Sequence, residues 1–251
     1  MSFFRLIARL DVKAPNLVKT IKLEGLRVVG NPRDRAVDYY RQGVDEILYM
    51  DIVASLYGRN SLVDVVRETA REIFVPITVG GGIRSVEDAR ALFNAGADKV
   101  ALNTAAIADP EVISRIADRF GNQAVVLSVE AKHQPDGTWE AYYDNGRERS
   151  HRNAVDWVRE AVDRGAGEVL VTSVDREGTR KGFDLDLMAA MHDAVSVPVV
   201  ASGGMGSVDD LVAVAKRADA ACMADCLHFN RLTLPEIRDG ARAAGVNARP
   251  L

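Results

Sequence analysis

The second half of this 251-residue chain repeats the first. Val75-Pro76-Ile77-Thr78-Val79-Gly80-Gly81-Gly82 returns as Val197-Pro198-Val199-Val200-Ala201-Ser202-Gly203-Gly204, and Ser85-Val86-Glu87-Asp88 returns as Ser207-Val208-Asp209-Asp210. Gly81 and Gly203 lie 122 residues apart, close to half the chain. Nearly the same register aligns Arg9-Leu10-Asp11-Val12-Lys13 with Ser128-Val129-Glu130-Ala131-Lys132, and Val44-Asp45-Glu46-Ile47-Leu48 with Ala166-Gly167-Glu168-Val169-Leu170. After a one-residue deletion before Ala218 it aligns Asn103-Thr104 with Ala224-Asp225. Solenoid repeats recur roughly every 20–50 residues. A half-chain period points instead to a duplicated half-domain, with halves at approximately 1–122 and 123–251.

Short apolar runs alternate with amphipathic stretches throughout. Strands are predicted at Leu6–Leu10, Glu46–Asp51, Ile77–Val79, Lys99–Leu102, Ala124–Val129, Glu168–Thr172, Val199–Ala201 and Ala220–Met223. Helical patterns lie between them at Pro32–Gln42, Ser61–Ile73, Ser85–Ala95, Pro110–Phe120, Ala154–Gly165, Leu185–Val195 and Val208–Arg217. Strands apolar on both faces belong in a parallel sheet covered by helices. Eight such units predict an α/β chain folded as one (β/α)8 TIM barrel over 1–251. A doubly wound open sheet is the alternative, and the twofold repeat argues against it. The irregular loop His133–Gly146, with its Gln-Pro-Asp-Gly turn and Trp139-Glu140-Ala141-Tyr142-Tyr143, predicts a small hairpin after the fifth strand.

Composition narrows the function classes. With 47% hydrophobic and 27% charged residues the chain reads as globular with a large core. A net charge of −4 gives no support for nucleic-acid binding. No apolar run approaches the roughly 18 residues of a membrane span. Met1–Ile7 runs straight into a strand without a signal peptide's cleavage site, so a cytoplasmic location is expected. Cys222 and Cys226 have no matching second pair and read as buried thiols; neither metal nor cofactor is expected.

Barrel active sites sit on the loops that follow the strands, and Asp11, Asp51, Glu130, Ser173, Asp175 and Ser202 fall at those strand ends. Gly80-Gly81-Gly82 and Gly203-Gly204 follow the third and seventh strands, and Gly178-Thr179 follows the sixth. Glycine turns let backbone N–H groups close on an anion, so two such sites across the mouth would hold a substrate with a phosphate at each end. Asp11 and Glu130 occupy equivalent strand ends and can divide general acid and base work. Lys13, Lys19 and Lys132 stand near enough to bind an anion or tune those acids. At the opposite end, Arg5, Glu46, Lys99 and Glu168 begin four strands and can form a salt-bridged ring.

At these residues the chain resembles the cyclase subunit of imidazole glycerol phosphate synthase. The resemblance covers essentially the whole chain and rests on Leu10-Asp11-Val12-Lys13, Thr78-Val79-Gly80-Gly81-Gly82-Ile83-Arg84, Ala97-Asp98-Lys99-Val100 and Asn103-Thr104-Ala105-Ala106. In the second half it rests on Gly165-Ala166-Gly167-Glu168, Asp175-Arg176-Glu177-Gly178-Thr179, Ala201-Ser202-Gly203-Gly204 and Leu227-His228-Phe229. It implies a lyase that takes ammonia from a glutaminase subunit (HisH-like) docked at the N-terminal face. The ammonia would convert a phosphoribulosyl-formimino aminoimidazole carboxamide ribotide into imidazole glycerol phosphate and aminoimidazole carboxamide ribotide, in histidine biosynthesis. It implies Asp11 and Glu130 as the catalytic pair, and Arg5, Glu46, Lys99 and Glu168 as an ammonia gate. Asp98 would contact the glutaminase. The substrate and phosphate set is Lys19, Gly81, Gly82, Asn103, Thr104, Thr172, Asp175, Gly178, Thr179, Ser202, Gly203, Gly204 and Asp225.

The chain also departs from this pattern. Glu130 and Glu177 stand where the family has aspartate, Val53 where it has threonine, and Arg9 where it has a small residue or cysteine. Asp225 replaces a serine of the second phosphate site, which places a carboxylate beside a phosphate. These departures keep other readings open: a paralogue using channelled ammonia on another substrate, such as acetamidino formation on a surface sugar; a non-catalytic docking and activating partner of a glutaminase; or a single-chain isomerase of the same pathway.

Overall fold

The computed structural model describes residues 3–54 and 62–251. Met1 and Ser2 of the N-terminal stretch, and Ser61 at the start of one expected helix, lie outside the described residues. Among the described residues the strands in chain order are β1 (Arg5–Lys13), β2 (Asn16–Ile21), β3 (Glu24–Gly30), β4 (Glu46–Asp51), β5 (Ile77–Gly80), β6 (Lys99–Leu102), β7 (Val125–His133), β8 (Trp139–Tyr143), β9 (Glu148–Asn153), β10 (Glu168–Ser173), β11 (Val199–Ser202) and β12 (Ala220–Met223). Eight of them pair in parallel in the order β1-β4-β5-β6-β7-β10-β11-β12, and β12 pairs back onto β1. The sheet is therefore closed, and the expected (β/α)8 barrel is what the chain forms.

Helices wrap this ring because their apolar stripes match its outer face. In the helix Glu111–Phe120, Val112, Ile113, Ile116 and Ala117 are buried, a spacing that puts all four on one side. The duplication extends to the caps. Ser85 and Ser207 each accept the N–H of an aspartate three residues on, and that aspartate's side chain reaches back to the cap N–H. A cap of this kind stabilises a helix by about 1 kcal/mol. Asn103 (φ −135°, ψ −86°) and Ala224 (φ −136°, ψ −70°) share an unusual backbone after the fourth and eighth barrel strands, so the repeat survives in geometry where side chains have diverged.

The apolar core lies mostly between the barrel and its helices. A second, smaller cluster fills the lumen: Ile7, Leu48, Ala101, Val126, Leu170, Val200, Ala220 and Cys222, with Met50 against it. Strand alternation sets these levels. β1 contributes Arg5, Ile7, Arg9 and Asp11, and β10 contributes Glu168, Leu170 and Thr172.

Two hairpins rise from the C-terminal mouth at twofold-related places. The expected one is β8–β9 after β7, although its second strand begins beyond Gly146. The other, β2–β3 after β1, corrects the reading of His133–Gly146 as the chain's one irregular loop. Its exposed Ile21, Leu26 and Val28 hide the period-two signal of a half-buried strand. The tip of this hairpin bridges the mouth: Asn145 Nδ2 donates to the Leu23 carbonyl at 3.3 Å, and the Lys22 N–H to the Glu177 carbonyl at 3.0 Å.

Candidate active site

The two acids stand at the mouth as expected, and their surroundings differ. Asp11 is 1% exposed and Glu130 8%. Asp11 Oδ1 accepts from Arg9 Nε at 2.7 Å. Glu130 Oε2 accepts the N–H of Gly146 at 2.7 Å. Burial, with a smaller contribution from the Asp11 charge, pushes the Glu130 carboxyl up to about 7, against the pull of Arg9, the Gly146 N–H and the Asn103 side chain. A carboxyl near 7 exchanges its proton at neutral pH, as a general acid or base must.

On the first-half side a cavity of about 300 Å3 opens between Asp51, Gly81, Gly82, Arg84, Asn103, Thr104, Glu130 and Asn145. Gly81 adopts φ +93°, and a Cβ there would collide with the Asp51 backbone, so the close turn depends on glycine. Asn103 Oδ1 is buried without a hydrogen-bond partner and Nδ2 donates to the Tyr142 carbonyl at 3.3 Å. Thr104 Oγ1 accepts the Asp144 N–H at 3.1 Å.

The second-half side is nearly filled, with a free volume of about 20 Å3 among Arg9, Lys19, Glu177, Gly178, Arg180, Ser202, Gly203, Gly204 and Asp225. Gly203 (φ +91°) repeats the glycine requirement: a Cβ would stand 2.9 Å from the Ser173 carbonyl oxygen. Four ion pairs occupy the space. Arg9 holds Asp11, Lys19 holds Glu177, and Asp225 Oδ1 takes Arg231 Nε at 3.2 Å and Arg180 Nε at 3.7 Å. The charge introduced by Asp225 is thus answered by two guanidinium groups.

At the other end of the barrel the four expected residues close a ring. Arg5 Nη1 and Nη2 bind Glu46 at 2.6 Å and Glu168 at 2.7 Å, and Lys99 Nζ binds the same glutamates at 3.1 and 2.7 Å. Each charge faces two of opposite sign. Beneath the ring a cavity of about 440 Å3 opens on the N-terminal face, bordered by Phe3, Arg5, Asp45, Glu46, Pro76, Pro198, Asp219 and Arg249.

Not every expected residue turns toward the mouth. Asp175 Oδ2 accepts the His133 N–H at 2.8 Å, tying the loops after β10 and β7 together. Thr179 donates to the Arg176 carbonyl at 2.7 Å within its own turn. Thr172 accepts from Arg9 Nη1 at 3.1 Å. Lys132 lies 5.4 Å over the Tyr142 ring, Lys13 is exposed, and only Lys19 turns inward. Asp98 Oδ2 accepts the Ile77 N–H at 2.8 Å, as Asp45 does for Leu6 and Asp219 for Val199, so the position also satisfies a backbone donor at the start of a strand. Arg84, Asn145 and Arg180 line the cavities without having stood out as site residues. Only the motif position of Arg84 beside the glycine turn carried a signal.

Cys222 and Cys226 are free buried thiols, as read from their spacing, and burial pushes the Cys226 thiol up to about 12. Among the described residues no helix is long and apolar enough to cross a membrane.

Fold and site together define a duplicated (β/α)8 barrel with one acid per half at its mouth and an ion ring at its base. Residues 5–233 match the family model of histidine biosynthesis proteins, and the chain belongs to that family. It is 60% identical over 210 residues to imidazole glycerol phosphate synthase subunit HisF of Legionella pneumophila, covering 84% of this chain and 99% of the relative. Subunits of the same name are 44% identical in Streptococcus sanguinis, over 98% of both chains, and 46% identical in Gluconacetobacter diazotrophicus, over 98% of this chain and 95% of that one.

Proposed function

We propose that this chain is a HisF-type cyclase and lyase. It would use glutaminase-derived ammonia to convert phosphoribulosyl-formimino aminoimidazole carboxamide ribotide into imidazole glycerol phosphate and aminoimidazole carboxamide ribotide. The observation that carries the reading is the order of levels along the barrel axis. A ring of Arg5, Glu46, Lys99 and Glu168 closes the base, an apolar lumen follows, and Asp11 and Glu130 stand buried at the mouth. Ammonia entering through the ring would cross uncharged surroundings as a neutral molecule and emerge beside two proton carriers.

Addition of ammonia leaves nitrogen with one proton too many, and bond cleavage leaves an amine with one too few. A paired acid and base supplies both needs. The 300 Å3 cavity with Gly81, Gly82, Asn103 and Thr104 would hold one phosphate. Gly203, Gly204, Ser202, Lys19 and Gly178 would hold the other once Lys19 and Arg180 turn from their carboxylates to the ligand. A HisH-like glutaminase would dock at the N-terminal face over the 440 Å3 cavity, near Asp98, so that ammonia does not escape. We place this reaction in the cytoplasm. The test is turnover of the ribotide by the purified chain with ammonium chloride, then with glutamine and the glutaminase. Glutamine-driven turnover should fall further than ammonium-driven turnover when Lys99 is replaced.

A further inference from the structure

The duplicated halves differ most sharply two residues before each acid. Arg9 precedes Asp11, and Ser128 stands at the equivalent place before Glu130. Arg9 is 3% exposed inside a barrel mouth, where an unpaired charge would be costly. Its guanidinium crosses from β1 to the ends of β10 and β11: Nε donates to Asp11 at 2.7 Å, and Nη1 to Thr172 Oγ1 at 3.1 Å and Ser202 Oγ at 3.4 Å. Glu130 makes no salt bridge among the described residues and is held by a backbone N–H. Two chemically similar acids are therefore presented differently, one clamped by a fixed cation and the other free of one.

We propose that Arg9 is a positioning residue that assigns the proton roles, clamping Asp11 as the acceptor and leaving Glu130 as the donor. The assignment rests on the cyclase reading above. In the forward direction the Asp11 carboxylate takes the proton released when ammonia adds, and the Glu130 carboxylic acid gives its proton to the departing amine nitrogen. One proton is taken and one given, and exchange with solvent resets the pair. The Glu130 carboxyl, near 7, holds its proton in a substantial fraction of molecules at neutral pH. The charged and titratable groups around the pair include Arg9 on β1, Lys19 on β2, Tyr142 opposite Glu130 on β8, Glu177 after β10, Cys222 on β12 and His228 on the short helix after it. Burial pushes the His228 imidazole down to about 4, which leaves it neutral here, and the cation in contact with Asp11 is Arg9.

The experiment compares Arg9→Met, Arg9→Gln and Arg9→Lys. Carbon-detected titration of the Glu130 carboxyl in the ligand-free protein should move upward by at least about half a pH unit in the neutral variants, because an opposing charge has gone. It should return in Arg9→Lys. With ammonium chloride and the ribotide, kcat should fall on the order of a hundredfold in Arg9→Met with KM changed far less, and the alkaline limb of the pH profile should move upward. An unmoved titration and profile would overturn the proposal, as would failure of both neutral variants to fold while Arg9→Lys folds. Absence of turnover by the unmodified chain would count against the cyclase reading, and the titration would still decide the role of Arg9.

Discussion

Replacing Lys99 by methionine isolates the ring at the barrel's base. Lys99 bonds both Glu46 and Glu168, whose side chains are only 7% and 8% exposed. The substitution keeps the stem's volume and removes the charge, so each glutamate is left with Arg5 alone. Breaking a fully buried ion pair costs about 3–5 kcal/mol. Because Arg5 remains and the ring borders a cavity, about 2–3 kcal/mol is expected here. For a chain of this length 1 kcal/mol moves Tm by roughly 2–4 °C, which gives a fall of about 4–12 °C. Calorimetry at pH 7 measures it directly. Adding Glu168→Gln removes one stranded carboxylate and should recover part of the loss, with a coupling energy of about 1 kcal/mol or more. The effect should persist in 0.5 M salt, since buried pairs are weakly screened. A loss below about 0.5 kcal/mol, or one abolished by salt, would make the ring an ordinary solvated surface and refute the reasoning.

Other outcomes follow from the mouth. Glu130 is held near 7 from an ordinary 4.5, so the stability it contributes is present below about pH 4.5 and lost as pH rises through 7. Glu130→Gln should therefore match the unmodified protein at pH 4 and exceed it at pH 8 by at most a few kcal/mol in urea unfolding; an equal difference at both pH values would contradict the assignment. Burial holds His228 near 4, beside Tyr39 Oη at 2.7 Å, so stability should fall as pH drops from 6.5 to about 4. His228→Phe should flatten that slope. Asp225→Ser releases Arg180 and Arg231 from partly exposed pairs worth about 0.2–1 kcal/mol. It should tighten KM for the ribotide up to about fivefold, and weaker binding would contradict the proposed phosphate site. Cys222 and Cys226 should react with a thiol reagent only at the rate of unfolding.

Much of this architecture is legible in the sequence. The eight barrel strands, the glycine turns and the ring residues follow from period, placement and duplication, because backbone-level constraints leave a dense trace. Strand ends were less visible: β1 runs to Lys13 and β7 to His133 because each continues into a hairpin, where pairing rather than burial sets the limit. The β2–β3 hairpin was missed because the exposed Ile21, Leu26 and Val28 interrupt its alternation. Asp175 and Thr179 carried the right motif positions, yet Asp175 ties its loop to the end of β7 and Thr179 serves its own turn, since sequence spacing does not fix which way a side chain turns. Asp225 read as a repulsive charge because Arg180 and Arg231 come to it only through the fold. Arg9 registered as a departure, and its reach to Thr172 and Ser202 depends on a barrel that brings β1 near β10 and β11.

The most direct test is turnover itself. Purified chain with ammonium chloride and phosphoribulosyl-formimino aminoimidazole carboxamide ribotide should yield imidazole glycerol phosphate and aminoimidazole carboxamide ribotide in equal amounts. Asp11→Asn should lower the rate by about a hundredfold or more. Folded protein at high concentration that leaves the ribotide unchanged would contradict the reading.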